Sequence, residues 1–542
     1  MAETSTLEPP RQADREPAQT YAHWVPKYNP WIVALTVTLA TFMEVLDTSI
    51  ANVALPHIAG GLSVSQDEST WVLTSYLVSN AVILPIAAWL SVLVGRKRFY
   101  MTCVALFTVS SFLCGLAPSL GILILFRVIQ GLGGGGLATS EQAILADTFS
   151  IEKRGMAFAV YGMAVVLAPA IGPTLGGWIT DNFSWRWIFY INVPVGLLSL
   201  YLTNKIVEDP PYMESERRKT LRNPIDYMGL GLIAVGIGCL QYVLDKGQEE
   251  DWFASNKIAI ILTVSLISLT WFVFNEWKHS NPIVDLQLMR MKNFRTAAFM
   301  MFILGMVLFG TTVLIPQFLQ VLMGYTAENA GKALSLGAVV LIFMMPMIGQ
   351  LVSRMDPRIM IAGGFTITSV ALYHMTNINL GIDFRTAAMY RVYQMLGVAF
   401  IFIPITTLAY VGVPRHKNNQ VAGMNNLMRN LGGSIGISML STFLLRLTQR
   451  HQVYLVAHAT AGNPLFMGRI EGLTRKLTNQ GVPPNQATAQ AYSLMSRTIS
   501  GQATTLAYVD IIAIMAVLVL CLAPLAFLMQ RPPKSSAPVA AH

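Results

Sequence analysis

Residues 123–147 form an apolar segment long enough to cross a bilayer, yet they carry Arg127 near the start, the glycines of residues 131–136 in the middle, and Glu141 and Asp147 near the end. A guanidinium in hydrocarbon costs on the order of 2.5–3.5 kcal/mol even on lenient insertion scales. Two readings of Arg127 follow: it lines a protein cavity and holds a partner, or it snorkels to a headgroup from near the helix start. A later segment repeats the pattern, with Arg391, Gln394 and Gly397 at the spacing of Arg127, Gln130 and Gly133. The echo favours the first reading and predicts a chain built from two related halves.

The chain has 542 residues, of which 54% are hydrophobic and 12% charged, and its mean hydropathy is +0.52. That balance predicts an all-α polytopic membrane protein with room for about a dozen or more spans of roughly 20 residues. The net charge of +9 reads as the lysine and arginine excess that orients helices, and no basic tract suggests a nucleic-acid partner. Cys103, Cys114, Cys239 and Cys521 fall in apolar runs without metal spacing, so they read as small hydrophobes. No nucleophile and base constellation points to an enzyme. The polar stretch 1–28 lacks the regions of a signal peptide and reads as a cytoplasmic tail.

In the first span, residues 31–55, Glu44 and Asp47 lie three apart and share roughly one helix face. Asp47 is about two-thirds along, where a neutral residue would pack at lower cost. A carboxylate that is neutral when buried and charged when exposed or paired can exchange a proton, which makes Asp47 the first candidate, with Glu44 and Glu141 next. The alternatives are that Asp47 only pins helices together and that Glu141 is a charge near a helix end. Asp147 reads as an interfacial or loop charge. Gly95, Arg96, Lys97 and Arg98 form a short basic connection after the second span, which places it and the amino terminus on the cytoplasmic side. The fifth span carries Gly162, Pro169, Gly172, Pro173, Gly176 and Gly177, a pattern for a close-packed helix or a bent pivot between conformations.

The first half is expected over residues 29–204, followed by a cytoplasmic linker 205–226, a helix pair 227–274 that looks inserted, and a second linker 275–296. The second half, 297–530, carries Gly349, Arg354, Asp356 and Arg358 where the first carries its basic connection. It also has an unusually polar span with Asn425, Asn426, Arg429 and Asn430 before Gly432, Gly433 and Gly436. Those side chains must face protein or water. A long hydrophilic loop, 446–503, is placed outside, and the basic tail 531–542 inside with the other terminus.

Several stretches resemble the major facilitator superfamily, and within it the fourteen-helix drug:proton antiporters: residues 46–56 with Asp47, Asn52 and Pro56; residues 126–131 with Arg127 and Gln130; residues 169–177; residues 187–196 with Asn192 and Pro194; and residues 281–286. The resemblance implies fourteen transmembrane helices as two six-helix bundles plus an inserted pair. It further implies alternating access and export of lipophilic or amphiphilic compounds across the bacterial inner membrane, driven by protons as coupling ion without another cofactor. A periplasmic membrane-fusion adaptor, an outer-membrane channel and membrane lipid would be the partners, with loop 446–503 matching an extended outside loop of such pumps. Where the superfamily often has a glycine, an aspartate and an arginine, this chain has Ala88, Val92 and Leu93, which weakens the expected cytoplasmic latch in the first half. A rival keeps the fold and exports fatty acids, bile salts or another endogenous amphiphile: Arg127, Arg391 and Arg429 would favour anions, Glu44 and Asp47 cations. A sensor or scaffold without flux gives no reason for buried carboxylates.

Overall fold

Residues 26–530 are described by the computed structural model, apart from 151, 223–224 and 280–281 and the side chains of 170, 327 and 328. Most of the expected amino-terminal tail and the whole of the 531–542 tail lie outside the described residues. The first half comprises α1 (Pro30–Leu62), α2 (Trp71–Val94), α3 (Arg96–Leu116), α4 (Leu120–Gly134), α5 (Leu137–Thr148), α6 (Arg154–Asn182) and α7 (Asn192–Ile206). A linker helix, α8 (Tyr212–Arg222), leads to the pair α9 (Tyr227–Lys246) and α10 (Asn256–Lys278). The second half comprises α11 (Lys292–Gln317), α12 (Ala327–Arg354), α13 (Pro357–Met375), α14 (Phe384–Ala409), α15 (Asn418–Ala457), α16 (Pro464–Asn479) and α17 (Pro484–Leu522).

Both halves pack in the same order. Helix α1 lies on α6 as α11 lies on α15, α2 on α4 as α12 on α14, and α3 on α7 as α13 on α17. The halves meet through α6 against α12 and, in the mirrored arrangement, α15 against α2. Small residues set these distances. A Cβ on Gly349 of α12 would sit 2.8 Å from the Met156 Cα of α6. One on Gly432 of α15 would run into the Phe302 carbonyl of α11. Lacking a hydrophobic force between helices in lipid, such close backbone approach supplies the packing energy.

Eleven helices among the described residues are long and apolar enough to cross a membrane, or twelve with α6 counted whole. The expected count of fourteen is therefore not reached on length and composition. Helix α7 has 15 residues and follows the short turn Trp187–Tyr190, and α13 has 19 residues with His374 and several small polar side chains. Both pack within their bundles, α7 on α3 and α13 on α17. Segment 123–147 is also not one helix: it breaks after Gly134, because the glycine run presses against α2 and α3, where a Cβ on Gly135 would meet the Asn80 carbonyl at 2.6 Å.

Helix α6 bends by 41° in the Pro169 region. Pro173 has no N–H for the Pro169 carbonyl, and that orphan oxygen accepts from Ser49 Oγ of α1 at 3.2 Å. Helices α9 and α10 pack on each other, and α9 leans on α2. The outer face of α10 is apolar and open, with Leu266, Ile267, Trp271 and Phe274 more than half exposed, as a lipid-facing helix requires.

Segment 446–503, read as a loop, is mostly helical. Helix α15 runs 40 residues and α17 runs 39. Each is about 60 Å long at 1.5 Å per residue, about twice the ~30 Å hydrocarbon thickness. They project beyond the bundle with α16 folded against α17 over Ile470, Ala491 and Met495. His451 Nε2 lies 2.8 Å from Asp510 Oδ2 and sets the register between α15 and α17. The projection is opposite the face where the start of α1 meets Phe149, α8 docks and Gln530 meets Asn293.

Candidate functional site

The polar groups that sequence places in apolar helices converge on three networks. In the first, Asp47 of α1 and Arg127 of α4 pair at 2.6 Å, both fully buried. Gln130, one turn along α4, donates to the other Asp47 oxygen at 3.1 Å, and Asn192 of α7 donates to that oxygen at 2.7 Å. Arg127 Nε donates to the Val72 carbonyl of α2 at 3.0 Å, and Asn192 reaches Ser111 of α3. The Asp47 carboxylate thus ties α1, α4 and α7, and through Arg127 and Asn192 the network reaches α2 and α3. The pair is close to neutral, and its charge-assisted bonds offset part of the cost of burying it.

Glu44, on the same helix face, has a different environment. It is half-buried and accepts from the Tyr76 hydroxyl at 2.9 Å and Asn80 Nδ2 at 3.2 Å, and among the described residues it forms no ion pair. Tyr76 links the two carboxylates, because its ring also carries the Arg127 guanidinium 4.4 Å from the centroid. A Cβ on Gly134 would sit 2.6 Å from the Tyr76 hydroxyl and 3.3 Å from Glu44, so the glycine run makes room for this contact.

The second network bridges the halves. Tyr161 of α6 donates to Asn426 of α15 at 2.9 Å and accepts from Arg429 Nη1 at 2.7 Å. Gln142 of α5 donates to the same Asn426 oxygen at 3.4 Å, and Arg429 Nε reaches Asn430 at 3.3 Å. Asn425 is buried beside them with its side-chain oxygen unpartnered. Glu141 of α5 is fully buried, accepting from Thr38 at 2.5 Å with its second oxygen unpartnered. It is not a charge at a helix end.

The third network repeats the first in the other half. Arg391 Nη1 donates to Thr311 Oγ1 and Gln394 Oε1, each at 2.9 Å, Nη2 donates to Thr312 at 2.7 Å, and Gln394 donates to Thr311 at 2.9 Å. Thr311 of α11 stands where Asp47 stands on α1.

At the face that carries α8, Arg96 is buried and paired with Asp147, which also accepts from the Tyr212 hydroxyl at 2.5 Å and Asn418 Nδ2 at 2.7 Å. Asp147 is therefore no loop charge. Burial pushes the Tyr212 phenol above its ordinary range, which keeps it a donor. This cluster joins the first half, the linker helix and the second half despite Val92 and Leu93. Gly95 adopts φ 100° at the turn into α3, and Arg98 is exposed. On the other side Arg358 pairs with Asp356 at 3.0 Å and donates to the Met529 carbonyl at 3.1 Å, while Arg354 is exposed and Gly349 holds the approach of α12 to α6.

In the fifth span, Gly172 and Gly176 face α1 at Ser49 and Ile50, Gly162 faces Phe402 of α14, and Pro173 approaches Gly331 of α12. Gly177 meets nothing within 4 Å. Sequence alone does not single out Tyr76, Asn80, Tyr161, Gln142 or Tyr212. Nor does the sequence link Asn192, one of the resembling residues, to Asp47.

A two-half helical bundle with buried charge at its centre and between its halves defines a multi-pass membrane transporter. Residues 37–437 match the profile of the Major Facilitator Superfamily, and the chain belongs to that family. It is 39% identical over 435 residues to the multidrug export protein EmrB of Haemophilus influenzae, covering 80% of this chain and 84% of the relative. It is 36% identical over 466 residues to EmrB of Escherichia coli, covering 83% and 90%, and 35% identical over 503 residues to the fatty acid resistance protein FarB of Neisseria gonorrhoeae, covering 92% and 96%. Among solved structures, the human organic anion transporter MFSD10 shares the fold with a TM-score of 0.55 at 12% identity, covering 91% of this chain and 100% of that one. The relatives are named as export and resistance proteins, and this chain is a transporter of small molecules and not an enzyme.

Proposed function

We propose that the protein exports lipophilic or amphiphilic compounds across the bacterial inner membrane in exchange for protons, by alternating access, as the inner-membrane part of a three-part efflux system. The carrying observation is the Asp47–Arg127 pair, with Glu44 joined to it through Tyr76. In this conformation Asp47 is paired with Arg127. Proton transfer to Asp47 from the cavity side by way of Glu44 removes the attraction to Arg127 and frees the ties among α1, α2, α4 and α7. Separation of the halves then breaks the Tyr161–Asn426–Arg429 bridge or the Asp147 cluster on alternate strokes. Helix α6, bent at its prolines and glycines, is the pivot.

The basic connections support a cytoplasmic α8 face, with both termini on that side, and a periplasmic α15–α17 projection. There the exposed Val453, Tyr454 and Leu465 offer apolar contacts to a membrane-fusion adaptor that leads to an outer-membrane channel. Similarity to EmrB supports varied lipophilic cargo, and similarity to FarB supports the second reading, export of fatty acids or a related amphiphile. The test is a proteoliposome screen with an imposed proton gradient, using matched dodecanoate and dodecyltrimethylammonium. Uphill movement of either, abolished by collapsing the gradient, is expected. Gradient-independent leakage alone would refute proton exchange.

A further inference from the structure

Helices α9 and α10 stand outside the two-half plan, and neither the Asp47–Arg127 pair nor the Tyr161–Asn426–Arg429 bridge includes a residue from them. Helix α9 packs along α2 and also touches α15, so the pair lies over the seam where the halves meet through those two helices. Its grip on the two sides is unequal. At the end from which the α15–α17 projection rises, α9 holds the first half in three places. Asp245 accepts from the Thr74 hydroxyl, the buried Lys246 ammonium donates to Thr70 Oγ1 at 2.6 Å, and Tyr242 packs on Trp71 with ring centroids 5.8 Å apart. Among the described residues, one hydrogen bond joins the pair or its loop to α15: Trp252 Nε1 donates to Thr442 Oγ1 at 3.1 Å. The Thr442 hydroxyl gives its own proton to the Ser438 carbonyl at 2.9 Å, which leaves its oxygen to accept.

The loop between α9 and α10 is shaped to present that indole. Asp251 and Trp252 both have left-handed backbone, with φ 55° and 51°, a conformation that a side chain as bulky as tryptophan holds only where its surroundings enforce it. Gly247 admits it: the Trp252 N–H donates to the Gly247 carbonyl at 2.7 Å, and a Cβ on Gly247 would lie 2.8 Å from the Trp252 ring. The indole N–H is shared with Gln248 Oε1, also at 3.1 Å, so it keeps a partner in its own loop when Thr442 moves away. At the α8 end, the segment leaving α10 holds the second half instead, with Lys417 paired to Asp285 at 2.5 Å and Gln420 donating to the Ile283 carbonyl at 3.0 Å. The pair is thus a strap across the seam, fastened to the first half at one end and to the second half at the other.

We infer that α9 and α10 act as a clasp on the α2–α15 seam, with Trp252 and Thr442 as its catch. The catch is made while the halves are together at the projection end and broken when they part there, and α9 then travels with α2. This role rests on the alternating-access reading above. It gives the pair a conformational task separate from proton exchange and from cargo.

Distances between spin labels test it, in the full chain in nanodiscs, with cysteines placed at the exposed Gln66 and Gln449 and the two unburied native cysteines, Cys239 and Cys521, replaced by serine. Wild type should show a short distance in excess over a longer one. Trp252→Phe keeps the ring without its donor, and Thr442→Val removes the acceptor. Each should raise the ratio of long to short distance about three- to tenfold, the scale of one lost hydrogen bond. The double variant should do no more than either alone, and Thr442→Ser should match wild type. An unchanged ratio in both single variants, or shifts that add in the double variant, would overturn the catch. If Trp252→Phe does not fold, Thr442→Val against Thr442→Ser decides: a shift in the first alone supports the catch, and equal ratios contradict it. The distances are read without transport, so the two readings fail separately. A shift in a protein that moves no substrate in liposomes contradicts export and leaves the clasp standing. Uphill export with no shift in either variant contradicts the clasp and leaves export standing.

Discussion

Tyr76 and Arg127 are stacked, with the guanidinium carbon 4.4 Å from the ring centroid, and the same phenol donates to Glu44 at 2.9 Å. The ring and the hydroxyl therefore have separable roles. Tyr76→Phe keeps the surface under Arg127 and leaves Glu44 with Asn80 alone. A hydrogen bond to a charged acceptor is worth about 1.5–3 kcal/mol, so transport should fall roughly tenfold or more while the melting temperature changes little. Tyr76→Ala should lose both. Initial rates in proteoliposomes beside thermal melts separate the cases, and full transport by Tyr76→Phe would show that the hydroxyl is not on the proton path.

Arg127 makes five directed or stacking contacts, to Asp47, Gln130, the Val72 carbonyl, Tyr76 and Phe189. Lysine preserves the charge but has neither the planar fork nor the reach for all of them. Arg127→Lys is expected to insert and fold, and to lose most transport. Wild-type turnover in the folded variant would make the guanidinium a spectator.

Arg127, Asp47 and the Arg391 echo are legible in the sequence because charge inside an apolar run is costly wherever the run folds. Which charges meet is not legible: Asp47 and Arg127 are 80 positions apart, and nothing local points from one to the other. Tyr76 and Tyr161 look like ordinary aromatic residues in apolar helices, and only the packing of α2 and α6 reveals their hydroxyls as bridges. Asp147 reads as a loop charge because its partners, Arg96, Tyr212 and Asn418, come from three separate segments. The projection is hidden in the sequence for a different reason. Phe466, Ile470, Leu473 and Leu477 recur at helical spacing and bury one face of α16, but the abundance of Gln, Asn and Thr around them obscures the period.

Gly432 lets α15 approach the Phe302 backbone of α11, and the neighbouring Gly436 faces Met306 in the same way. The obstacle is a main-chain carbonyl, which cannot rotate aside. Gly432→Ala should destabilise the second half by ~1–3 kcal/mol and lower the melting temperature of the detergent-solubilised protein. Gly177→Ala, where a Cβ meets nothing within 4 Å, is the matched control and should melt like wild type. Equal melting of the two variants would mean that α15 has another way to sit on α11.

The α15–α17 projection should serve docking and not transport itself. Because His451 and Asp510 fix its register, replacing residues 459–501 with a short Gly-Ser linker removes α16 and the outer end of α17 while leaving the base intact. Export by cells is expected to disappear, and flux in liposomes to persist. Loss of both would place the projection within the transport fold, and survival of both would remove the docking role.

Asp47→Asn tests the central claim most directly. The amide keeps the size of the side chain and part of its bonding to Gln130 and Asn192, yet it has no carboxyl proton to exchange. Substrate accumulation against its gradient and substrate-induced proton flux are to be measured together, in proteoliposomes at several pH values. The account predicts a folded protein that binds substrate and allows downhill movement, but neither concentrates it nor moves protons with it. Uphill transport with wild-type proton flux in Asp47→Asn would contradict the account and pass the role to Glu44 or Glu141.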